Sequence, residues 1–371
     1  MTATTTVGRV GARDLAAALR PATALKARFV QLHPDAVVFG HDRTTARVPF
    51  AGRGFDGDPI WLNRPAFARV VRACRGDVLI ERADTGITLT TGQLSAHIPT
   101  AVDDDGAIPS LSELPSDDGD PLLTVDARRL ARAVLRAAPF ATCDATRPVL
   151  VTVALDPRGH VVATDSYRLA ALDLPDIQHD GDVPLPLRLH GMLAVATAMG
   201  TAGGDVRIFD RDDRLDFAFG DQLWTVGMEP RYTPRENDPR GRTYPDYLAL
   251  LPDDDDYTVR VELDAGELAE TASLIADVSR RNEPLVCTVK PQEMEVVSRD
   301  TADVQVARTF NGVVWCREAQ VEIGLNPEFL HDIAAAIAPE GVVLELISPL
   351  RPARFTGGDG TFLLMPIRLN V

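Results

Sequence analysis

Arginine side chains recur at helical spacing in the segment VDARRLARAV, residues 125–134, and just beyond it. Arg128, Arg132 and Arg136 follow one another four residues apart, which places them on one side of a helix. Guanidinium groups bind phosphate oxygens, so such a row predicts weak binding of a polyanion rather than a chemical reaction. The alternative is a solvated helix surface, but solvated surfaces usually mix both signs of charge.

A second arginine-bearing helix is predicted over residues 65–75. Arg69, Arg72 and Arg75 lie on one face, and the apolar side chains, such as Val71, lie on the other. Asn63 is the expected N-cap, Pro65 suits the first turn, and Gly76 follows the end. Two separate helices with one-sided positive charge favour a shared phosphate-binding surface.

Residues for most catalytic chemistry are missing from the sequence. The chain has no GxxxxGK loop and no HExxH motif, its seven histidines are scattered, and its four cysteines form no CxxC pair. We therefore expect no cofactor and no metal site. The acidic run at 253–256 leaves one alternative open, an α+β enzyme that uses metal ions on nucleic acid, although such runs are usually solvated loops.

Length and charge set further limits. The chain of 371 residues suits two or three domains. Its net charge of −16 argues against nucleic acid unless positive charge is segregated onto one surface. No apolar run is long enough for a transmembrane helix, and the first residues lack an apolar signal core, so we expect a cytoplasmic protein.

Internal repeats indicate three similar domains. Segments with an aliphatic residue, Gly or Asp, Ala, two variable residues and Leu-Ala begin at Val10, Val125 and Leu263. Proline-bounded segments, IPSLSELP and YPDYLALLP, precede the second and third repeats and are predicted to be extended. These features predict domains at 1–117, 118–252 and 253–371.

The hydrophobic pattern predicts that each repeat contains two helices and several short strands of alternating or continuous aliphatic residues. Asp264 with Glu267 resembles a capping box, and Asn326 followed by Pro327 marks another helix start. Mostly antiparallel strands with segregated helices predict an α+β fold in which two helices pack on antiparallel sheets in each domain. The further predicted helices cover 126–138, 187–199, 264–281 and 327–338.

Five short motifs resemble those of the bacterial sliding clamp, the beta subunit of DNA polymerase III. In order along the chain they are TRPVL (146–150), ATDSYRLA (163–170), YPDYLALLP (244–252), IGLNPEFL (323–330) and LLMPIRL (363–369). The resemblance covers roughly residues 120 to 371. The first repeat departs from the family because KARFVQLHPDAVVFGHD leads almost directly from helix to strand.

The resemblance implies a non-catalytic processivity factor. Two chains joined head to tail would close a six-domain ring whose helices line a hole for duplex DNA. The interface would join the first domain of one chain to the third of the other, with Leu94 and Val278 as candidates. The residues expected to face DNA are Arg69, Arg72, Arg75, Arg128, Arg132, Arg136, Arg147, Arg188 and Arg280.

The resemblance also implies a pocket for peptide segments of the DNA polymerase III alpha subunit, the clamp loader and other partners. An apolar slot of this kind accepts Leu or Phe anchors, and methionine tolerates varied ligands. From the residues alone, interdomain packing explains the same positions. The matching residues are Leu150, Thr164, Ser166, Tyr167, Arg168, Leu169, Pro245, Leu250, Leu363, Met365, Pro366, Ile367 and Arg368.

Two features stay open. Arg168 either contacts a ligand or ties the second domain to the C-terminal strand. Leu248 and Ala249 follow PDY where the family often has basic or polar residues, which predicts a less polar rim. This departure and the altered first repeat keep a divergent accessory or phage-encoded clamp as an alternative. The arginine- and proline-rich segment 229–242 is predicted to be a surface loop.

Overall fold

The computed structural model describes residues 6–53, 55, 57–83, 85–111, 113–181, 183–229, 244–251, 256–280, 283–298 and 304–369. In these residues, antiparallel strands alternate with six α-helices, which confirms the predicted α+β class. No helix in this part of the chain combines the length and apolar character needed to cross a lipid bilayer.

The first repeat consists of one strand and a helix, five strands and a helix, and a final group of three strands. Its elements are β1 (Thr6–Gly11), α1 (Ala12–Ala24), β2 (Phe29–Leu32), β3 (Ala36–His41), β4 (Thr44–Pro49), β5 (Gly52–Arg53), β6 (Ile60–Asn63), α2 (Arg64–Ala73), β7 (Asp77–Ala83), β8 (Gly86–Thr91) and β9 (Leu94–Pro99).

The second repeat has the same order with four strands between its helices. Its elements are β10 (Leu123–Asp126), α3 (Ala127–Ala137), β11 (Thr152–Asp156), β12 (His160–Thr164), β13 (Arg168–Asp173), β14 (Leu185–Arg188), α4 (Leu189–Ala202), β15 (Asp205–Asp210), β16 (Arg214–Phe219) and β17 (Gln222–Gly227).

The third repeat again has five strands between its helices. Its elements are β18 (Val259–Asp264), α5 (Ala265–Val278), β19 (Leu285–Val289), β20 (Met294–Ser298), β21 (Ala307–Phe310), β22 (Val313–Cys316), β23 (Val321–Leu325), α6 (Pro327–Ile337), β24 (Gly341–Leu346), β25 (Ala353–Thr356) and β26 (Gly360–Leu364).

The predicted helix starts are confirmed by side-chain caps. Asn63 accepts a hydrogen bond from the backbone N–H of Ala66 at 3.1 Å, and Asp264 accepts one from Glu267 at 2.8 Å. Asn326 caps α6 in the same way. Each cap satisfies a backbone donor that the first helical turn leaves free. The helix predicted at 187–199 begins two residues later in the structure, because residues 187 and 188 lie in β14.

The chain divides into two compact units. Unit 1 comprises Met1–Arg132 and Leu187–Arg231, and unit 2 comprises Ala133–Pro186 and Tyr232–Val371. Two of its three boundaries fall inside α3 and β14, and the third, at 231/232, lies outside the described residues. The three-domain division remains a prediction, although the order of elements recurs three times.

Unit 1 contains two antiparallel sheets. The five-stranded sheet has the order β5-β1-β7-β8-β9, and the eight-stranded sheet has the order β10-β15-β16-β17-β4-β3-β2-β6. Helix α1 packs against β1 and β3, and α2 packs against β6 and β9. One face of each helix is therefore buried, and the other face is left to solvent.

Unit 2 contains a four-stranded sheet, β21-β20-β19-β23, and most of a nine-stranded sheet, β14-β11-β12-β13-β26-β25-β24-β18-β22. In the larger sheet β13 pairs with β26, so residues near 168 lie beside residues near 364. This pairing joins the ATDSYRLA and LLMPIRL motifs, which are almost 200 residues apart in the sequence.

Candidate functional site

A tight turn between β12 and β13 carries the centre of the ATDSYRLA motif. The Asp165 carboxylate accepts backbone hydrogen bonds from Tyr167 at 2.8 Å and from Arg168 at 3.0 Å. Thr164 donates its hydroxyl to the Arg168 carbonyl, and Ser166 takes a positive φ of 80°. These bonds hold the turn so that the Tyr167 side chain is 59% exposed.

The Arg168 side chain makes several contacts in and around this turn. Its guanidinium donates to Asp165 at 3.0 Å, to Asp332 on α6 and to the Pro139 carbonyl at 2.7 Å. It also lies 4.2 Å from the centre of the Phe329 ring, and only 10% of the side chain is exposed. Its contacts thus tie the turn to α6, while its backbone pairs with Leu364 on the C-terminal strand.

An apolar cluster lies beneath the turn. Leu169 on β13 faces Leu363 on β26, and both are almost fully buried beside Ala154 and Val162. Tyr244 and Tyr247 complete the cluster, and Val149, Leu248 and Leu251 pack against it. Leu150 is also buried. Leu150, Leu169 and Leu363 therefore form the interior of the site rather than its surface.

The segment Tyr244–Leu251 forms one side of the site. Tyr244 donates its hydroxyl to the Val162 carbonyl at 3.1 Å, and Tyr247 is fully buried. Residues Leu248–Leu250 form a single 3-10 turn, which corrects the prediction of a wholly extended segment. Pro245 disfavours only the residues near it, so the chain can turn once Tyr247 is anchored. Leu250 emerges 53% exposed.

The C-terminal segment forms the other side. The backbone N–H of Met365 donates to the Tyr167 carbonyl at 2.8 Å, and Ile367 donates to the Gly324 carbonyl at 2.8 Å. Met365 is 45% exposed. Of the remaining predicted residues, Thr164 is buried, Pro245, Pro366 and Ile367 are half-buried, and Ser166 and Arg368 are exposed.

The rim residue Ala249 is exposed on the 3-10 turn beside Leu250. We expect Ala249→Arg to change the affinity for a partner peptide by about two- to fivefold, because an exposed rim charge contributes about 0.2–1 kcal/mol. Fluorescence anisotropy with a labelled peptide at two salt concentrations measures this. Equal affinities for wild type and variant at low salt would contradict the prediction that the apolar rim sets partner preference.

A chain of hydrogen-bonded polar groups, in which Asp156 and Tyr247 are fully buried, was missed by sequence reasoning. Tyr247 donates to Asp156 at 2.9 Å, and Nδ1 of His160 lies 2.8 Å from the Tyr247 hydroxyl. Arg158 donates to Asp156 through Nε at 2.9 Å and through a terminal nitrogen at 2.6 Å. The two tyrosines of YPDY were the available signal, since a buried tyrosine needs a hydrogen-bond partner.

Burial acts to raise the pKa of Asp156, but hydrogen bonds from Arg158 and Tyr247 outweigh it and hold the pKa below its ordinary value. The pKa of Tyr247 is raised, first by burial and then by the nearby Asp156 charge. Burial likewise raises the pKa of Asp173, and Asp359 adds to this while His160 opposes it. Asp156 is therefore an ionised hydrogen-bond acceptor at neutral pH.

Because the pKa of Asp156 is lower in the folded chain, its stabilisation is present above pH about 4 and is lost as the pH falls further. We expect Asp156→Asn to lower the free energy of unfolding by about 1–3 kcal/mol at pH 7. The deficit should shrink below pH 4. Urea unfolding at pH 7 and pH 3.5 measures both values.

Asp173→Asn serves as the control for this experiment. Because the pKa of Asp173 is raised in the folded chain, this carboxyl group stabilises the fold at low pH and stabilises it less as the pH rises. The change in unfolding free energy caused by Asp173→Asn should therefore vary with pH in the opposite direction to that caused by Asp156→Asn. A deficit of Asp156→Asn that is the same at both pH values would contradict the role assigned to its charge.

The arginines predicted on α2 and on the first half of α3 lie on exposed faces. Arg69, Arg72 and Arg75 are exposed, and Arg72 and Arg75 bond to backbone carbonyls of their own helix end. Arg128 and Arg132 are exposed on α3. Arg128 lies against Gly203, where a Cβ atom would be 3.0 Å from the guanidinium and φ is +66°, so glycine is needed there.

Three of the other predicted arginines are held by contacts inside the protein. Arg136 is half-buried and donates to the Ala336 carbonyl at 2.7 Å. Arg147 pairs with Asp144 at 3.2 Å, and Arg188 pairs with both Asp42 and Glu229. Arg280 is exposed beside a cavity of about 380 Å³ at the start of α6. Contact of Arg136, Arg147 and Arg188 with DNA stays a prediction. Their intramolecular contacts would compete with any contact to a phosphate.

Helix α1 adds two arginines that sequence reasoning did not select. Arg13 and Arg20 are exposed, and they lie seven residues apart, which is two helical turns. Helix α1 packs beside α2 and α4 within unit 1. The spacing of seven was the signal in the sequence, but the intervening Asp14 and the alanines obscured it.

The sequence left open a metal site built from acidic residues. Among the described residues, no group of three His, Cys, Asp or Glu side chains is arranged to hold a metal ion. Three of the four residues in the acidic run 253–256 lie outside the described residues, as do residues 230–242 of the predicted surface loop and Arg281.

The fold is that of known sliding clamps. A DNA polymerase III beta subunit from Thermotoga maritima matches with a TM-score of 0.81 and 17% identity, covering 98% of this chain and 100% of that one. One from Pseudomonas aeruginosa matches with a TM-score of 0.79 and 19% identity, with the same coverage. At these identities the two matches establish the fold.

A relative by sequence is the beta sliding clamp of Micrococcus luteus, which is 27% identical over 223 residues. The alignment covers 58% of this chain and 66% of the relative's length. No family model matches the chain. The fold is thus the α+β fold of sliding clamps, and the predicted resemblance to the bacterial sliding clamp is confirmed.

Proposed function

We propose that this protein is a non-catalytic processivity factor of a DNA polymerase, a cytoplasmic ring that encircles and slides on duplex DNA. The observation that carries the proposal is the sliding-clamp fold over 98% of the chain, together with a relative that is named beta sliding clamp. Two features of the chain's own residues support it, the exposed arginines on helices of an acidic protein and the apolar surface in unit 2.

The arginine faces suit a sliding contact. Arg69, Arg72, Arg75, Arg128 and Arg132 are exposed, whereas the chain as a whole carries a net charge of −16. Positive charge confined to helix faces attracts phosphates, and an acidic remainder discourages binding elsewhere. These side chains would contact the phosphate backbone and not the base edges, so binding would be weak, salt-sensitive and independent of sequence.

Free sheet edges support a head-to-tail dimer. The five-stranded sheet of unit 1 ends at β9, where Leu94 is 40% exposed. The four-stranded sheet of unit 2 ends at β21 and β23, and the β23 edge is already bridged by Ile367. Pairing β9 of one copy with β21 of another would satisfy both free edges. Val278, at the end of α5, would lie outside this strand pairing.

The apolar surface in unit 2 would bind extended segments of partner proteins. Tyr167, Leu250 and Met365 are exposed around the buried cluster that contains Leu169 and Leu363. Leu or Phe anchors of a peptide would bury against these side chains. The partners proposed are the DNA polymerase III alpha subunit, the clamp loader and other proteins with such segments.

Topological retention on DNA tests the ring. The protein is loaded on nicked circular plasmid with a clamp loader and ATP, and the complex is isolated by gel filtration. A ring stays with circular DNA and is released when the plasmid is cut once by a restriction enzyme. Equal retention on circular and linear DNA, or no retention together with a monomer in solution at micromolar concentration, would contradict the proposal.

The α2 arginines should carry part of the salt dependence of DNA binding. We expect the triple variant Arg69→Ala, Arg72→Ala and Arg75→Ala to flatten the slope of log affinity against log salt by about 2 to 3, since each phosphate contact contributes about 0.9. Fluorescence anisotropy with a labelled duplex measures the slope.

A control variant removes arginine charges from strands instead of from the helices. Arg47 and Arg207 lie on strands and pair with Asp35 and Asp117. Arg47→Ala with Arg207→Ala should leave the slope within about 0.5 of wild type. A triple variant with an unchanged slope would exclude α2 from the DNA-binding surface.

A further inference from the structure

A hydrogen-bonded row of side chains runs under the segment that forms the rim of the apolar surface. Asp156 is fully buried at the end of β11, and it accepts from the Tyr247 hydroxyl at 2.9 Å. The same hydroxyl lies 2.8 Å from Nδ1 of His160 on β12. Nε2 of His160 lies 3.5 Å from Asp173 on β13.

The number of protons fixes the direction of these bonds. The Tyr247 hydroxyl has one hydrogen, and Asp156 already accepts from Arg158 and is ionised at neutral pH, so Asp156 cannot donate. Tyr247 must donate to Asp156. If it donated to His160 instead, two oxygen acceptors would face each other at 2.9 Å without a hydrogen in a buried site.

His160 must therefore donate from Nδ1 to the Tyr247 hydroxyl. We propose that His160 and Tyr247 are positioning residues for partner binding, with His160 held as an Nδ1–H donor that fixes Tyr247 on Asp156 and thereby the rim residues Leu248–Leu250. The inference rests on the proposed function of the apolar surface, and it deepens that proposal by assigning a role to two residues outside the exposed set of Tyr167, Leu250 and Met365.

The row is connected to the rim through the backbone. Tyr247 directly precedes the 3-10 turn, and its carbonyl accepts from the N–H of Leu250 at 3.1 Å. A shift of the tyrosine ring would move the exposed Leu250 side chain with it. An ordered rim binds better than one that is only partly populated, because apparent affinity falls in proportion to the competent fraction.

Charged groups surround the row on every neighbouring element. Arg158 lies 5.3 Å from the centre of the Tyr247 ring, and Asp246 is close enough to Arg158 to favour its charged form. Asp173 has Asp359 beside it on the turn before β26. With its hydrogen on Nδ1, His160 presents the lone pair of Nε2 toward Asp173 at 3.5 Å.

The tautomer of His160 provides a direct test. Nitrogen-15 spectra of histidine-labelled protein at pH about 8.5, where an unperturbed histidine with an ordinary pKa of about 6.5 is neutral, distinguish Nδ1–H from Nε2–H. The expected result is Nδ1–H at His160, assigned by loss of the signal in His160→Asn. An Nε2–H ring would overturn the proposal, because Tyr247 could not then receive a hydrogen bond from it.

Paired substitutions test the positioning role. The amide nitrogen of asparagine can stand where Nδ1 stands, so His160→Asn should keep the affinity for a labelled partner peptide within about twofold of wild type. His160→Leu and Tyr247→Phe should weaken binding about five- to twentyfold, because each removes a bond and leaves a buried group unpaired. All affinities are measured on protein that circular dichroism shows to be folded.

A matched control separates positioning from general stability. His331 on α6, also in unit 2, makes one ring hydrogen bond, to the Ala269 carbonyl at 3.0 Å. His331→Leu should lower stability comparably and leave peptide affinity unchanged. If His160→Leu and His331→Leu bind equally well, the row is merely structural and the proposal fails. If wild-type protein binds no peptide while retaining the Nδ1–H signal, the proposed function of the surface fails instead.

Discussion

Replacing Arg168 with alanine is expected to lower the free energy of unfolding by about 3–5 kcal/mol, the cost of breaking a buried ion pair from one side. Arg168 and Asp165 have only 10% and 12% of their side chains exposed, so solvent screens their attraction little. The substitution would leave Asp165 and the Pro139 carbonyl without their donor. It would also remove the cation that stacks on Phe329.

Arg168→Lys separates charge from geometry. A lysine keeps the positive charge but cannot donate at once to Asp165, Asp332 and the Pro139 carbonyl in the fixed directions of a guanidinium. We expect it to recover less than half of the loss. Urea unfolding followed by circular dichroism provides the free energies, and hydrogen exchange at residues 165–173 locates the effect in the turn.

Arg207→Ala is the control for this series. Arg207 and its partner Asp117 are both nearly half exposed, so their removal should cost less than about 1 kcal/mol. If Arg168→Ala cost no more than Arg207→Ala, Arg168 would have no structural role in the turn, and its other interpretation, direct contact with a partner, would gain support.

Local signals were sufficient to predict the helices of this chain. Asn63, Asp264 and Asn326 cap their helices as expected, because an N-cap acts on a backbone N–H only three residues away. Amphipathic spacing also predicted correctly that Arg69 and Arg128 are exposed. Such predictions succeed because the residues that determine a cap or a helix face lie within one or two helical turns of each other.

Long-range pairing limited the predictions of the site. Arg188 is predicted to face DNA, and the competing contact with Asp42, 146 residues away in the sequence, arises only through folding. Tyr247 meets His160 across 87 residues. No spacing rule relates such positions. Of these residues the five motifs contain only Tyr247, so the roles of the others as buried, bonded or exposed groups follow from the folded structure alone.

Some strands lack the aliphatic pattern that predicts a strand, for a related reason. Strand β4, with the sequence TTARVP, alternates poorly and ends in proline, yet it lies in the interior of the eight-stranded sheet beside β3 and β17. Two threonines, Thr44 and Thr45, are buried there. A polar residue in a central strand is tolerated when neighbouring strands cover it, and this covering depends on tertiary structure.

Replacing Leu250 and Met365 together with aspartate should abolish binding of partner peptides, with a loss of at least about 100-fold in affinity. Both side chains are exposed, at 53% and 45%, on the two segments that flank the buried cluster. Apolar anchors at the centre of an interface commonly contribute 2 kcal/mol or more each. An aspartate would in addition place an unpaired charge against the peptide's Leu and Phe side chains.

The measurement is the anisotropy of a labelled partner peptide taken from a DNA polymerase III alpha subunit. Because both residues are exposed, the double variant should unfold within about 1 kcal/mol of wild type. Leu350→Asp, at a residue in unit 2 that is 66% exposed and outside the proposed surface, controls for charge alone and should bind like wild type. Retained binding by the double variant would mean that partners bind elsewhere on the chain, and a similar loss in Leu350→Asp would assign the effect to net charge rather than to the apolar surface.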